Sequence, residues 1–366
     1  MLPSVSKGIP MRWHCMLLPV TVFVILGFLF QAQFLFQPQA GVTNPDLSAV
    51  GQVIGGFTDD ANSEDYKQPT FKLGETELFL NAYLNPYVKG VFVIAVGEEG
   101  AAVEEGYAQV VKGLPWKLNL KAGQYRLGFG KLNAAHPHIY PFIESPRSLQ
   151  ALLPGEEGFN DAAIQASILL PTPGSWASTV SGDLLRGHAF HPNSSKTELG
   201  WLGRWSNAFL VGDAGVLEVG ASVAQGTHDP ELNTKTLLAG LDSKAEWVFT
   251  SQLRLVTQGE LIMNSTENID SLSNKTTTSR LGGYGFANLC FGTQYIGGVF
   301  YDQFQAIEND QKTNRAFKAY AGYAVLEEST LLRVSYEVFL PEDEDSIQSL
   351  ALQLVFSMGP HKPHLF

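Results

Sequence analysis

The sequence predicts an all-β protein, a transmembrane antiparallel barrel of about sixteen strands (roughly 14 to 18) that follows an N-terminal signal peptide. Three observations lead to this fold class. Apolar and polar residues alternate over unusually long segments, the connections between these segments are short and long in turn, and the chain begins with a basic and then an apolar stretch.

The N-terminal stretch has the three regions of an export signal. Lys7 and Arg12 precede a long apolar run, and small and polar residues follow it. This order is typical of a cleaved signal peptide. We therefore assign residues 1–40 to the signal and residues 41–366 to one barrel domain. An uncleaved anchor helix is the alternative, because Pro38 is a poor residue two places before the cut.

The net charge narrows the range of partners. The whole chain has 24 basic and 36 acidic residues and a formal charge of −12. Residues 1–40 contain two of the basic residues and none of the acidic ones, so the mature chain carries −14. A chain this acidic is not expected to bind nucleic acid.

The strands are predicted from strict alternation. In "SIQSLALQLVFSM", residues 346–358, leucines and a phenylalanine occupy one face and mostly small or polar residues the other; residues 332–338 and 217–224 repeat the pattern. Such a pattern is typical of strands with one apolar face. A soluble sandwich also alternates, but its strands usually have about five or six residues. These segments continue for about ten or more, the length that crosses a bilayer at a tilt.

The whole chain contains about sixteen such segments. They lie at roughly 48–58, 71–84, 87–97, 101–112, 116–130, 162–170, 175–187, 198–211, 216–226, 234–246, 248–263, 279–289, 291–304, 315–326, 330–340 and 346–358. The alternation slips near Gly123, where we expect a β-bulge.

The connections fall into two sets that alternate along the chain. Short turns are expected at 85–86, 113–115, 171–174, 212–215 and 327–329. Long polar loops are expected at 59–70, 131–161, 188–197, 227–233, 264–278, 305–314 and 341–345. Turns at one end and loops at the other are typical of outer-membrane barrels, and a closed barrel pairs every backbone group in lipid. An even strand number places both termini at the turn end, in the periplasm.

With its signal, alternating strands and long third loop, the chain resembles Gram-negative outer-membrane porins. The segments "EEGYAQ", "LPWKLNLKAGQYRLGFGKLNAAHPHIYPF" and "GEEGFNDAAIQASILLPTP" also resemble a porin-like family, some of whose members are labelled zinc-regulated, TonB-dependent outer-membrane receptors. A TonB-dependent receptor needs about 22 strands and a plug domain. Residues 41–366 are too few for both.

The resemblance implies a channel for passive diffusion of small hydrophilic solutes or ions, in the outer membrane of a Gram-negative bacterium. The acidic surplus favours cations. The alternative is a receptor or zinc-capturing protein of the same fold. The sequence places no Ser/His/Asp group, paired carboxylates or phosphate-binding glycine loop, so we expect no enzyme. Expected partners are membrane lipid and lipopolysaccharide, small hydrophilic solutes and the barrel-assembly machinery, and the resemblance allows a homotrimer.

Residues 131–161 would form the third external loop, which in general porins folds into the lumen and narrows it. The residues that we predict to line such a constriction are Glu144, Arg147, Glu156 and Glu157 from the loop and Arg126, Arg254 and Arg333 from the wall. Opposed charges across a constriction select solutes by charge and size. The alternative is a loop that covers the barrel from outside, with solvated charges.

Two histidines in this loop are the candidate metal ligands. His136 and His138 flank a proline, a spacing that suits a metal, but a full zinc site needs three or four ligands. The sequence therefore predicts no cofactor. Zinc bound by His136 and His138 would need further ligands from His188, His191 or His228 and Asp229 on other external loops. The alternative is a polar His-Pro turn.

Overall fold

The computed structural model describes residues 45–97, 100–155, 158–192, 196–270, 274–305, 312–326 and 329–360. The predicted signal peptide, residues 1–40, lies outside them, and so do Glu156 and Glu157. Within these ranges, no helix combines the length and the hydropathy needed to span a membrane.

Seventeen strands form one antiparallel sheet. They are β1 (Asp46–Thr58), β2 (Thr70–Leu73), β3 (Thr76–Asn85), β4 (Val88–Gly97), β5 (Gly100–Val110), β6 (Leu118–Arg126), β7 (Asn160–Leu170), β8 (Trp176–Leu185), β9 (Gly200–Val211), β10 (Gly215–Asp229), β11 (Thr234–Val248), β12 (Leu253–Ile269), β13 (Lys275–Phe291), β14 (Tyr295–Gln305), β15 (Thr313–Leu326), β16 (Thr330–Leu340) and β17 (Ile347–Met358). The helical elements are α1 (Arg147–Leu152) and 3₁₀ turns at Pro115–Lys117, Pro137–Ile139 and His188–Phe190.

The sheet closes into a barrel of sixteen wall strands. β2 and β3 both pair with β1, at 53–56 and 46–50 respectively, so they are two parts of one wall strand. The last strand returns to the first, with Ala49 opposite Met358 and Thr58 opposite Ser349. Closure leaves no unpaired edge. The predicted fold class is confirmed, and each of the sixteen predicted segments overlaps a wall strand.

The two faces of the wall differ as the alternation predicts. On β16, Leu332 and Tyr336 are exposed on the outer face, whereas Arg333 and Glu337 are buried on the inner face. The pairing register carries the same division to β17, where Leu332 lies opposite Leu354 and Arg333 opposite Gln353. The barrel therefore has an apolar exterior and a lumen lined by polar and charged side chains.

Several predicted boundaries differ from the structure, among them the end of β6 and the limits of two loops. β6 ends at Arg126 instead of continuing to residue 130, because Leu127 and Phe129 leave the wall and are fully buried inside. The predicted loop 264–278 is mostly strand, since the β12–β13 ladder continues until Ile269 pairs with Lys275. The predicted loop 227–233 likewise contains the end of β10. Threonine-rich sequence such as "KTTT" favours extended backbone and explains the longer ladder.

The predicted bulge at Gly123 is wrong, because β6 pairs with β5 and β7 there without a change of register. Gly123 instead has a φ of +139°, and a Cβ at this position would lie 2.2 Å from the carbonyl oxygen of Gly106. A glycine is needed because any side chain would collide with the neighbouring strand. The irregular alternation near Gly123 therefore coincides with a close approach between the backbones of β6 and β5.

A bulge does occur, in β5. Val93 of β4 pairs with Glu105, and Ile94 pairs with Val103, so Glu104 is an extra residue in the ladder. A bulge changes the direction in which neighbouring side chains point. Glu104 and Glu105 are both buried, although consecutive residues in a regular strand would face opposite sides.

Candidate functional site

The connection between β6 and β7, residues 127–159, is called loop 3 below, and its described residues, 127–155 and 158–159, lie inside the barrel. Its apolar side chains share one buried cluster with residues of the inner wall. The ring of Phe142, for example, contacts Phe286, Phe300 and Tyr320 at centroid distances of 5.4, 4.8 and 5.7 Å. These rings belong to β13, β14 and β15, far along the wall from β6 where the loop begins. Loop 3 therefore extends across the lumen.

The base of loop 3 is closed by one asparagine. The side-chain amide of Asn133 donates hydrogen bonds to the carbonyl oxygens of Leu127 and Phe159, at 2.7 and 2.9 Å. The backbone N–H of Phe159 in turn donates to the Asn133 Oδ1 atom at 2.8 Å. Because a single buried side chain joins the first and last turns of the loop, the loop leaves and re-enters the wall at one place.

The first turn of loop 3 binds a carboxylate of the wall. The N–H groups of Lys131 and Leu132 donate to Oε1 of Glu260 on β12, at 2.7 and 2.8 Å. Gly130 has a φ of +65°, and a Cβ there would lie 1.9 Å from Oε2 of Glu260. Only glycine allows this approach. The Lys131 ammonium pairs with Glu218 of β10, so this turn is fixed to two further strands.

The helix of loop 3 is held by ion pairs, and we call this group of contacts the helical anchor. Arg147, at the start of α1, donates to Oε1 of Glu337 on β16 at 2.6 and 3.0 Å. Lys318 of β15 contacts the other oxygen of Glu337 at 2.8 Å and lies 3.6 Å from Glu144. The N–H of Ser148 also donates to a carboxylate of β14, at 3.1 Å.

Arg333 holds the middle of loop 3. Its guanidinium, on β16, donates to the backbone carbonyl oxygens of His138, Tyr140 and Phe142. The side chain is buried, with 4% of the residue exposed. Arg333 therefore binds the backbone of the loop, and this segment of the loop lies against β16.

The histidines of loop 3 contact acidic residues on another part of the wall, on β3 and β5, and we call this group the histidine anchor. His136 Nδ1 lies 2.9 Å from Oε2 of Glu77 and 3.2 Å from Oε2 of Glu104. His138 Nδ1 lies 2.9 Å from Oε1 of Glu77. Nη2 of Arg126 lies 3.3 Å from Oε1 of Glu104, and Oε1 of Glu105 lies 3.8 Å from His136 Nε2.

This environment changes the acidity of His136. Burial opposes a charge on the imidazole, but the contacts with Glu104 and Glu77 outweigh burial and raise its pKa to about 9. The carboxylates favour the protonated ring because opposite charges lie within about 4 Å. At neutral pH and without a metal, His136 is therefore mostly protonated, with its ring beside the two carboxylates.

The residues predicted to form a constriction separate into groups. Arg126 belongs to the histidine anchor, Glu144 and Arg147 to the helical anchor, and Arg333 binds the loop between them. Arg254 lies apart from them near the β11–β12 turn, where it pairs with Glu246 at 3.1 Å. Glu156 and Glu157 lie outside the described residues.

The wall residues that bind loop 3 were not singled out by the sequence. They include Glu77, Glu218, Glu260, Asp302, Lys318 and Glu337. Each is a polar residue on the inner face of a strand, where polar residues are expected, so its sequence carries no special signal. Glu104 and Glu105 are different, because two adjacent acidic residues interrupt the alternation of β5 and indicate the bulge.

Two cavities border loop 3 inside the barrel. The larger, about 350 Å³, lies between the loop and β10–β13, and its polar lining residues are Lys131, Glu218, Lys244 and Gln258. The smaller, about 190 Å³, lies between the loop and β5–β6 and is bordered by Glu104, Arg126 and Tyr140. Loop 3 thus divides the lumen into a more open side and a side closed by the histidine anchor.

Comparisons with known proteins give the fold. No protein-family model matches the chain. An uncharacterized protein of Aquifex aeolicus (strain VF5) is 28% identical over an alignment of 340 positions that covers 81% of this chain and 70% of that protein. The anion-selective porin from Comamonas acidovorans superposes with a TM-score of 0.60 at 10% identity, over 86% of this chain and 99% of that one. The trimer form of OmpT from Vibrio cholerae gives 0.58 at 10% identity, with the same coverage.

These likenesses define the class of fold to which the chain belongs. Both solved structures are matched over nearly their whole length at low identity, so the shared property is the architecture. The protein has the closed antiparallel barrel of the outer-membrane porins.

Proposed function

We propose that the protein is an outer-membrane channel through which small hydrophilic solutes or ions diffuse passively. One observation carries this proposal: a closed barrel with an apolar outer face has charged side chains on its inner face, around a loop that narrows the lumen. Charged groups in a dry interior are costly, so this lining favours a lumen that contains water.

The larger cavity marks the route that we propose for the solute. On the β3–β5 side, the histidine anchor joins loop 3 to the wall. On the β10–β13 side, about 350 Å³ remains between the loop and the wall. Lys131, Glu218 and Lys244 border that space, so a solute passing there meets charges of both signs. Such a passage suits small hydrophilic solutes and excludes large ones.

We propose further that the channel prefers cations. The mature chain carries −14, and buried acidic residues outnumber buried basic residues on the inner wall. A low-dielectric wall focuses the field of such charges into the lumen. The anion selectivity named for the Comamonas acidovorans porin belongs to that protein, and the fold alone decides neither sign.

The outer membrane and a homotrimer are part of the same proposal. An apolar exterior with sixteen wall strands requires a lipid environment, and the N-terminal pattern of residues 1–40 supports export. A solved relative in fold, OmpT of Vibrio cholerae, is described in a trimer form, which supports the homotrimer. Lipopolysaccharide and the barrel-assembly machinery are the other partners that an outer-membrane location implies.

Single-channel recording tests the proposed function. The mature chain, refolded in detergent and added to a planar bilayer, should produce discrete current steps, whereas heat-denatured protein from the same preparation should produce none. Folded protein that never conducts would contradict the channel and favour a receptor of the same fold.

A further inference from the structure

The histidine anchor contains three potential metal-ligand atoms that point at one another. Oε2 of Glu77, Oε2 of Glu104 and Nδ1 of His136 all lie within 4.8 Å of one another. Glu77 is 1% exposed and Glu104 4%. Although Nδ1 lies 2.9 and 3.2 Å from the two oxygens, none of the three atoms makes a hydrogen bond of normal geometry. Buried polar atoms without such bonds are rare and call for an explanation.

The other oxygen of each carboxylate is already bound. Oε1 of Glu77 contacts Nδ1 of His138, and Oε1 of Glu104 accepts a hydrogen bond from Arg126. Each contact fixes the orientation of its carboxylate and leaves Oε2 directed at His136. Metal sites commonly orient their ligands in this way, through a second group bound to the far atom of each ligand.

The backbone produces this convergence from three separate segments. Glu77 is an inner-face residue of β3, and Glu104 faces inward because it is the extra residue of the β5 bulge. His136 precedes the 3₁₀ turn at Pro137–Ile139, and the turn directs the backbone toward Arg333. A regular β5 strand could not place both Glu104 and Glu105 inside. The bulge thus supplies a ligand that the regular strand would point outward.

We propose that Glu77, Glu104 and His136 bind one divalent transition-metal ion, with zinc as the ion that fits best. One imidazole nitrogen with two carboxylate oxygens is a donor set for zinc and related first-row ions, whereas calcium and magnesium prefer oxygen alone. Tetrahedral zinc with bonds of about 2.0–2.1 Å separates its ligand atoms by about 3.3 Å. The observed 2.9 and 3.2 Å from Nδ1 of His136 to the two carboxylate oxygens are close to this separation, and the three atoms all lie within 4.8 Å of one another.

The proposed site has room for a fourth ligand and links loop 3 to the wall. The 190 Å³ cavity borders Glu104, so water can complete a four-coordinate ion from that side. The ion would join β3, β5 and loop 3 through one centre. This inference concerns binding alone and does not require that the barrel conducts.

Zinc titration of the folded, full-length mature protein tests the site. After treatment with a chelator, calorimetry in detergent should give one zinc ion per chain. Glu77→Gln and Glu104→Gln keep the side-chain shape and should each weaken binding at least ~100-fold, because each removes a ligand. His138→Gln removes only the group that positions Glu77 and should weaken binding about 10-fold. Glu246→Gln, at the β11–β12 end, is the matched control and should leave binding unchanged.

X-ray absorption at the zinc edge gives an independent measurement on the unmodified protein. We expect one imidazole nitrogen, oxygen ligands at about 2.0–2.2 Å and no sulfur. Absence of zinc binding, a site without imidazole, or equal affinity in wild type and Glu77→Gln would each overturn the proposal. In the first case the cluster is an imidazolium–carboxylate ion pair only. Because the wild-type spectrum needs no variant, the test stands even if a variant does not fold.

Discussion

The helical anchor and the histidine anchor hold the same loop against different parts of the wall, with different chemistry. At the helical anchor, Arg147 and Lys318 neutralise Glu337 with ordinary charge-assisted contacts of 2.6 to 3.0 Å. At the histidine anchor, the carboxylates of Glu77 and Glu104 converge on the ring of His136. Arginine and lysine stay charged far above physiological pH, whereas the imidazole of His136 loses its charge as the pH rises through about 9 or when the ring nitrogen binds a metal.

Because of this difference, the attachment of loop 3 at the helical anchor should be constant, whereas its attachment at the histidine anchor should depend on solution conditions. The helical anchor pairs the carboxylate of Glu337 with two cations, Arg147 and Lys318, so its strength depends mainly on geometry and burial. The histidine anchor needs a proton or a metal ion between its carboxylates, because like charges at this distance repel. We therefore expect that solution conditions change the β3–β5 side of loop 3 and leave the β14–β16 side unchanged.

The largest expected effect comes from removing the helical anchor altogether. Replacing residues 144–153 by a short Gly–Ser linker should raise single-channel conductance severalfold, because α1 and its contacts with β14–β16 then leave the lumen. The wall strands pair without the loop, so the barrel should still form. Conductance is measured in a planar bilayer at high salt.

The control for this deletion lies in another loop. Replacing residues 342–345 by Gly–Ser residues of equal number removes acidic side chains from the β16–β17 connection and leaves loop 3 intact. Its conductance at high salt should equal that of the wild type, since exposed charges are screened there. If both variants conduct like the wild type, loop 3 does not limit the current.

The next largest effect is expected from Arg333, which binds the segment of loop 3 between the two anchors. Arg333→Met removes the donors that bind the carbonyl groups of His138, Tyr140 and Phe142. A hydrogen bond to a charged group contributes about 1.5–3 kcal/mol, so losing one should raise the open population of the loop about tenfold or more. Trypsin should then cleave after Arg147 about tenfold faster.

Arg254→Met is the matched comparison, because Arg254 pairs with Glu246 away from loop 3. Cleavage of the loop in this variant should match the wild type. Equal cleavage in both variants would show that Arg333 does not hold the loop closed. Both proteins must first show the heat-modifiable gel mobility of a folded barrel.

The wall was predictable because its physics is local in sequence. Long alternation such as that of residues 346–358 specifies which side chains meet lipid, and the alternation of turns and loops specifies a closed antiparallel barrel. The predictions from the sequence were wrong where a contact with a distant part of the chain overrides the local strand propensity. Residues 127–130 continue the strand pattern of β6, yet Phe129 is buried beside Phe159 instead of lying in the wall.

The site was predictable only in part for the same reason. His136 and His138 could be recognised as potential ligands, but Glu77 is 59 residues before His136 and looks like any inner-face residue. The partners of Arg333 are backbone carbonyl groups, which leave no mark in a sequence. The adjacent acids of β5 were visible, and in an alternating strand such a pair predicts a bulge with both side chains on one face.

A smaller expected effect is the response of loop 3 to zinc, which should depend on the histidine anchor and not on the helical anchor. At a zinc concentration equal to the dissociation constant of the proposed site, zinc should increase the ratio of attached to detached loop 3 by a factor of about two. Fluctuations in the single-channel current that are caused by movement of loop 3 should then become about half as frequent. A chelator should restore their original frequency. Glu77→Gln should abolish this response, whereas Glu337→Gln, at the helical anchor, should retain it. A response lost equally in both variants would mean that zinc acts elsewhere.

The smallest expected effect is on ion selectivity. In a salt gradient at low concentration, the reversal potential should indicate a cation permeability a few times that of anions, because the inner wall carries an acidic surplus. The preference should decline near 1 M salt, where the Debye length shortens from about 10 Å to about 3 Å.

Selectivity should depend on distance from the solute route and not on membership of an anchor. Glu218 borders the larger cavity, so Glu218→Gln should reduce the cation preference more than Glu337→Gln, whose carboxylate is buried between Arg147 and Lys318. Reversal potentials of the two variants at equal low salt make the comparison. Clear anion preference in the wild type would mean that Lys131 and Lys244 at the same cavity dominate the field. The acidic surplus would then not determine the selectivity, whereas the proposed solute route through the larger cavity would gain support.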